Sequence, residues 1–218
     1  MGMLEGAIIG GIAGGIAGGA VAWNLVRWQK TFVAAVDRGD HPGARRLLDK
    51  HCPALPAGEV PLRALLPQRH RLLGAWLLGD LAAVREQLTR HRGSAAYLAN
   101  VVAYGQAILA VEAPIEAVAA AAEQVRATAA AVRAESSALQ KLLRDRTDLL
   151  ARVVDGLVGG APAPSSDQLH PMVSAAGREP LLSRILWFRL LAVGADRSGT
   201  PNPRLHALVA GMTRRFAA

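Results

Sequence analysis

GAIIGGIAGGIAGGAVAWNLV, residues 6–26, is a run of 21 residues without a charged side chain. At about 1.5 Å of rise per residue, a helix of this length covers roughly 30 Å, the thickness of the hydrocarbon core of a bilayer. The run therefore predicts a single membrane-spanning helix within an anchor segment, residues 1–38. A flexible glycine-rich linker and a cleaved signal peptide are the alternatives, although a signal peptide would begin with positive charge.

Glycines recur in this stretch at a spacing of four residues. One row contains Gly6, Gly10, Gly14 and Gly18, and a second row contains Gly11, Gly15 and Gly19. Rows of small residues let two helix backbones approach closely in lipid, where apolar burial supplies no driving force. The rows resemble a glycine zipper, and they predict packing of membrane helices, including a homo-oligomer formed through the N-terminal helix.

Charge on either side of the stretch predicts its orientation. The amino side carries only the terminal amine and Glu5, whereas Arg27 and Lys30 follow on the other side. Positive side chains beside a span favour the cytoplasmic face. We therefore expect the N-terminus outside and the body of the chain in the cytoplasm, with Trp23, Arg27, Trp28 and Lys30 at the membrane interface.

Composition favours an all-α fold for the rest of the chain. Hydrophobic residues make up 51% of the sequence but aromatic residues only 4%. Alanine and leucine, which are strong helix formers, dominate, and β-branched residues outside the anchor are sparse. The alanine-, leucine- and arginine-rich composition is typical of bacterial proteins, so a bacterial inner membrane is the expected location.

The net charge of +8 predicts attraction to acidic surfaces, such as the anionic cytoplasmic leaflet. Nucleic acid is not an expected partner, because the arginines are dispersed through helices and no aromatic stacking platform accompanies them. The predicted partners are membrane lipid and another protein.

Residue types that carry catalysis or bind metals form no recognisable set. Cys52 is the only cysteine, and His51 stands directly beside it. Adjacent residues do not supply the spaced ligand pairs of a zinc site. The sequence also lacks a GxxxxGK[ST] phosphate loop, an HExxH motif and a GxSxG motif. We therefore predict no catalytic residue, no metal and no cofactor, and we expect a protein that is not an enzyme.

Two Gly-Asp pairs, Gly39-Asp40 and Gly79-Asp80, stand 40 residues apart. Glycine favours the left-handed conformation that ends a helix, and aspartate caps the helix that follows. Pro42 fits the first turn of that second helix. We therefore expect the anchor helix to continue through Val36, to end at Gly39, and to begin a series of helical hairpins.

The segment VAAVDRGDHPGARRLLDKHCPALP, residues 33–56, resembles the second half of a tetratricopeptide repeat. Such a half contains a helix that ends in Gly-Asp and a small residue five positions later, here Ala44. The second copy has Val84 there, and the period is 40 residues rather than about 34. The resemblance implies stacked helical hairpins from about residue 28 to 114; ordinary helical hairpins of no family are the alternative.

Proline and glycine divide the remaining chain. A helical-hairpin domain is predicted for residues 39–158, and its last part forms either one long helix from Ile115 or two helices that divide near Ser137. GGAPAPSSDQ, residues 159–168, is the predicted linker. Residues 169–218 form the predicted C-terminal helical subdomain, in which residues 180–193 are apolar on nearly all sides and should be buried.

These features together predict a single-pass membrane-anchored helical scaffold or adaptor that binds a protein partner. A glycine-zipper oligomer that forms a pore or remodels the membrane is the first alternative. A membrane-tethered enzyme with an unrecognised cleft is the second.

Overall fold

The computed structural model describes residues 16–54, 64–90, 99–132, 138–158 and 166–217, and every regular element in these ranges is a helix. The elements are α1 (Ile16–Asp37), α2 (His41–His51), α3 (Leu65–Leu77), α4 (Leu81–Arg90), α5 (Ala99–Glu112), α6 (Ile115–Val132), α7 (Ala138–Asp155), α8 (Ser166–Gly177), α9 (Leu181–Arg197), α10 (Pro203–Met212) and a 3-10 helix (Arg214–Phe216). The predicted all-α fold is therefore confirmed for the described part of the chain.

Helix α1 continues from the glycine-rich stretch into the core of the domain. Phe32, Val33 and Val36 lie on its inward face at the three- and four-residue spacing of a helix, and all three are buried. The helix ends at Asp37, two residues before Gly39. The predicted unbroken helix through Val36 is therefore confirmed from Ile16 onward.

The predicted membrane span is described only in part. Residues 6–15 lie outside the described residues, and with them Gly6, Gly10, Gly11, Gly14 and Gly15. Within the described ranges, no helix combines the length and the apolar character that a membrane crossing needs.

Both Gly-Asp pairs form the same helix corner. Gly39-Asp40 and Gly79-Asp80 have glycine φ angles of +75° and +81°. Each aspartate N–H donates a hydrogen bond of 2.9 Å to the carbonyl five residues earlier, as in a Schellman motif. Each aspartate carboxylate accepts a bond from the N–H three residues later, at 2.9 and 3.0 Å. The residue four positions after each aspartate, Ala44 or Val84, is fully buried, so the two corners match.

The two hairpins also contact the following helix in the same way. Leu48 of α2 packs against Gly74 of α3, and Leu88 of α4 packs against Gly105 of α5. A Cβ atom on Gly74 would lie 2.5 Å from a Leu48 methyl carbon, and one on Gly105 would lie 2.6 Å from a Leu88 methyl carbon. Close packing of a leucine on a glycine therefore recurs in consecutive hairpins.

The chain reverses direction between α6 and α7. Arg126 of α6 forms an ion pair with Asp155 at the end of α7. In one straight helix these two residues would be about 40 Å apart. Of the two alternatives that the sequence leaves open, the structure shows two helices, and the connection, residues 133–137, lies outside the described residues.

Helix α9 lies at the centre of the core. Nearly all its residues from Leu182 to Gly194 are buried, which confirms the predicted buried helix. It packs against α1, α3, α5 and α7 as well as against α8 and α10. The predicted C-terminal subdomain therefore shares one core with the hairpins. The predicted linker is described only from Ser166, where α8 begins.

Replacing Gly74 with alanine should destabilise the domain, because the added Cβ would overlap Leu48, which is buried. We expect the free energy of unfolding, measured by urea denaturation, to fall by about 1–3 kcal/mol. Gly211→Ala is the matched control, since a Cβ there would meet nothing within 4 Å. Alanine at that position of α10 should leave stability unchanged or raise it by up to about 1 kcal/mol. Equal losses of stability in the two variants would contradict the close packing of Leu48 on Gly74.

Candidate functional site

The residues predicted at the membrane interface occupy different environments. Arg27 and Lys30 are exposed on α1. Gly18, Gly19 and Trp23 belong to the first two turns of α1. Their predicted roles, in helix packing for the two glycines and at the membrane interface for the other three residues, stay predictions.

Trp28 lies inside the domain, with only 7% of its surface exposed. Its indole stacks on the ring of His51, with 5.2 Å between the centroids and 8° between the planes. The rings of Phe32 and His70 approach it edge-on. The apolar surface of Trp28 is therefore covered by protein, in contrast to its predicted interfacial position, because α2 and α3 pack against this turn of α1.

An open groove lies between α1 and α2, where α1 enters the domain. It has a volume of about 540 Å³ and is lined by Arg27, Trp28, Thr31, Leu47 and His51. Its lining is amphipathic: Leu47 and the stacked rings are largely apolar, whereas Arg27 and Thr31 are polar and exposed. We call this feature the α1–α2 groove.

The surroundings of the α1–α2 groove are positively charged. Arg27, Lys30 and Lys50 are exposed, and no acidic side chain in the described ranges forms an ion pair with them. Asp49 is already engaged, at 2.8 Å, with an arginine of α3. Partial burial, and next the charge of Lys50, lower the pKa of His51. The imidazole is therefore neutral at pH 7, and the three long side chains supply the charge.

Cys52 follows His51 at the end of α2 and is 1% exposed. Burial raises the pKa of its thiol to about 12, although the charge of Arg71 acts in the opposite direction. The thiol is therefore protonated at neutral pH and lacks the thiolate that nucleophilic catalysis requires. In the described ranges, no group of three or more His, Cys, Asp or Glu side chains could hold a metal ion.

A buried chain of hydrogen bonds joins α1 to α3 and α9. The side-chain oxygen of Gln29 accepts a bond of 3.2 Å from the backbone N–H of Leu182, and its nitrogen lies 3.3 Å from Nε2 of His70. Because that nitrogen donates, Nε2 of His70 must be unprotonated. Burial, and then the charge of Arg69, lower the pKa of His70 well below its ordinary value, in agreement with this assignment.

A buried ionic cluster links α3, α7 and the turn before α9. Glu179 is 4% exposed and forms ion pairs with Arg69, at 3.6 Å, and with Arg146. The Arg69 guanidinium also lies 4.7 Å above the ring of Tyr104. Burial is the main cause that raises the pKa of Tyr104 to about 12, and its hydroxyl accepts a bond of 2.9 Å from Trp187. We call this the Glu179 cluster, and its charges are paired within the protein.

The C-terminal residues fasten the ends of α1 and α3. Asp37 Oδ1 accepts a bond of 2.7 Å from the hydroxyl of Thr213 and one of 2.9 Å from the next backbone N–H. Arg215 donates to the last carbonyl of α3, and Phe216 stacks on Trp76 with 5.1 Å between the ring centroids. We call residues 213–216 the C-terminal clasp.

Sequence reasoning missed the buried polar residues Gln29 and Glu179 and the partly buried Arg69. Glu179 stands directly before a proline and two residues after a glycine, where an exposed turn residue is the ordinary expectation, and its partners are far away in sequence. For Gln29 a signal existed, since it shares the helical spacing of Phe32, Val33 and Val36. A polar residue within an apolar helix face indicates a buried hydrogen bond.

Lowering the pH should destabilise the domain through His70. Its pKa in the folded domain lies well below the ordinary 6.5. Below that pH the unfolded chain binds a proton that the folded domain excludes. The contribution of His70 to stability is therefore complete above about pH 6.5 and is lost as the pH falls toward the folded pKa, by at most about 1.4 kcal/mol per pH unit.

The variant His70→Gln tests this effect, because glutamine still offers an acceptor to Gln29 but does not titrate. Its free energy of unfolding, measured by urea denaturation between about pH 7.5 and pH 5, should fall less steeply than that of the wild type. His41→Gln, at an exposed residue, is the control and should keep the wild-type slope. If the free energy of unfolding falls with pH equally steeply in His70→Gln and in the wild type, His70 is not the cause of the pH dependence.

Replacing Asp37 with alanine should release the C-terminal clasp. The Thr213 hydroxyl, in a residue that is 2% exposed, and one backbone N–H would lose their acceptor. We expect the free energy of unfolding to fall by about 1–3 kcal/mol and hydrogen exchange of the last amides to accelerate. Asp196→Ala is the control, because Asp196 pairs with a partly exposed His206 and should cost under about 1 kcal/mol. If the last amides exchange at the wild-type rate in Asp37→Ala, Asp37 does not hold the C-terminal clasp.

The α1–α2 groove, the Glu179 cluster and the C-terminal clasp are thus the main polar arrangements of the described residues. In the cluster the carboxylate of Glu179 pairs with two arginines, and in the clasp Asp37 accepts two hydrogen bonds, whereas the groove is open and cationic. The groove is therefore the candidate site for an external ligand. No protein-family model, curated protein or solved structure matches this chain.

Proposed function

We propose that this protein is a single-pass, membrane-anchored helical scaffold whose domain binds a protein partner at the cytoplasmic face of the membrane. The observation that carries the proposal is the continuity of α1. This helix begins at Ile16, inside the uncharged stretch, and ends at Asp37, inside the folded domain.

A continuous helix joins the proposed tether rigidly to the domain. Gln29, Phe32 and Val33 are buried in the core and hold the second half of α1 in place. A flexible linker would let the domain rotate freely at the membrane surface. Here the direction of α1 sets the orientation of the domain, which favours a scaffold that presents one face to its partner.

The repeated hairpins favour a binding module. The corners at Gly39 and Gly79 and the leucine-glycine contacts recur in consecutive hairpins, which supports the tetratricopeptide-like hairpin stack. Stacked hairpins offer extended surfaces for binding. The first helices of the hairpins, α1, α3 and α5, are contacted by α9, so we assign the partner surface to the second helices, α2 and α4.

Charge identifies the kind of partner that suits this surface. Arg46 of α2 and Arg85 of α4 are exposed, and neither forms an ion pair with a residue in the described ranges. The chain as a whole carries a net charge of +8. A protein with an acidic face would be steered to such a surface and oriented on it.

The variant Ile9→Arg/Ile12→Arg tests the tether. Each arginine at the centre of a span costs about 2.5–3.5 kcal/mol of insertion free energy, so we expect the full chain to leave the carbonate-washed membrane fraction while its helical circular dichroism persists. The control Ala82→Arg/Ala120→Arg adds the same charge on exposed faces of α4 and α6 and should stay in the membrane. Membrane retention of Ile9→Arg/Ile12→Arg would refute the tether.

Photo-cross-linking of the full chain in its membrane fraction tests whether a protein partner binds the proposed surface. A photo-cross-linking residue in place of Ala82, on the proposed surface, should give one adduct with a protein other than this chain. The same residue in place of Ala120, on α6, is the control and should give none. An adduct of twice the chain's mass would instead favour the glycine-zipper homo-oligomer, and no adduct at Ala82 would contradict the proposed surface.

A further inference from the structure

We propose that the α1–α2 groove binds an anionic phosphate group, the chemistry that an acidic lipid headgroup presents at the cytoplasmic surface of the membrane. The location at a bilayer rests on the proposed function. The site itself is defined by the residues that line and flank the groove.

The position of the groove matches the headgroup layer. The uncharged stretch ends at Val26, and the next residue, Arg27, already lines the groove. Thr31, one turn further along α1, is the last residue of this helix in the lining. At about 1.5 Å per residue, the α1 side of the groove lies within about 8 Å of the end of the stretch. The headgroup layer extends about 6 Å beyond the hydrocarbon core on each side.

The charge of the groove matches a phosphate. Arg27 lines it, Lys30 lies about one turn later on α1, and Lys50 precedes the lining residue His51. These three exposed cations form no ion pair with an acidic residue in the described ranges. A guanidinium offers two parallel donors to phosphate oxygens, and lysine adds a point charge.

The apolar lining distinguishes a headgroup from a free ion. Leu47 and the exposed ring of His51, which stacks on the buried Trp28, line the groove together with Arg27. A free phosphate is hydrated on all sides and gains nothing from apolar neighbours. A lipid places its phosphate next to glycerol and acyl carbons, which can contact such side chains.

The groove can be tested with the full chain in a neutral detergent, without a bilayer. The melting temperature is measured with added short-chain phosphatidylglycerol, short-chain phosphatidylcholine or inorganic phosphate. We expect phosphatidylglycerol to raise the melting temperature by about 5 °C at saturation, because a ligand that binds the folded state stabilises it. Equal concentrations of phosphatidylcholine or inorganic phosphate should give a smaller rise.

Two triple variants separate a specific site from general charge. Arg27→Ser/Lys30→Ser/Lys50→Ser removes the arginine that lines the groove and the two exposed lysines closest in sequence to its lining residues, and it should weaken phosphatidylglycerol binding on the order of 100-fold. The matched control, Arg152→Ser/Arg178→Ser/Arg204→Ser, removes the same charge from exposed positions on α7, in the turn after α8 and on α10 and should bind as the wild type does. Since all six side chains are exposed, both variants should fold, which the melting curve without ligand verifies.

Equal weakening in the two triple variants, or no rise in the wild type, would overturn the site. A rise with inorganic phosphate as large as with phosphatidylglycerol would support a phosphate site and overturn its assignment to lipid. Failure of the anchor is a separate result: in that case the wild type would be absent from membranes while the groove still bound phosphatidylglycerol in detergent. A wild type that stays in membranes but binds no phosphatidylglycerol would overturn only the groove.

Discussion

The amide of Gln29 sets how the N-terminal helix sits in the domain. It is fully buried, and its two ends pair with α9 and α3, through the Leu182 N–H and His70. The Leu182 N–H lies in the first turn of α9, where no carbonyl within the helix can accept it. Rotation of α1 would leave these buried groups unpaired, at a cost of about 1–3 kcal/mol each. The direction in which α1 leaves the domain is therefore determined by the core.

The end of α1 and the C-terminal clasp meet because of this geometry. Once α1 is placed, Asp37 at its end accepts hydrogen bonds from the C-terminal clasp, 176 residues away in sequence. The Glu179 cluster joins α3, α7 and the turn before α9 within the same core. A segment attached to α1 is consequently attached to the whole domain, and the rigid coupling of the proposed tether follows from this closure.

Arg27 of the α1–α2 groove and the nearby Lys30 and Lys50 differ from the charges of the Glu179 cluster, because they are exposed. Arg69 and Arg146 have a carboxylate partner inside the protein, whereas the groove cations have none in the described ranges. Unpaired cations beside apolar side chains are suited to an external ligand that is both anionic and partly apolar. Their place immediately after the uncharged stretch makes a lipid headgroup the simplest ligand that meets both conditions.

The sequence by itself determined the features that depend on nearby residues. The corners at Gly39 and Gly79 follow from the left-handed conformation that glycine tolerates, and the burial of α9 follows from its apolar residues. Only the tertiary structure decided that Trp28 is covered by α2 and α3, and that Glu179 pairs with Arg69 and Arg146. The physical reason is that helical periodicity indicates which face of a helix is buried, but it does not indicate which distant helix will contact that face. The groove depends on both. Its charged residues can be read from the sequence, but Arg27 lies beside Leu47 and His51 only because α1 packs on α2.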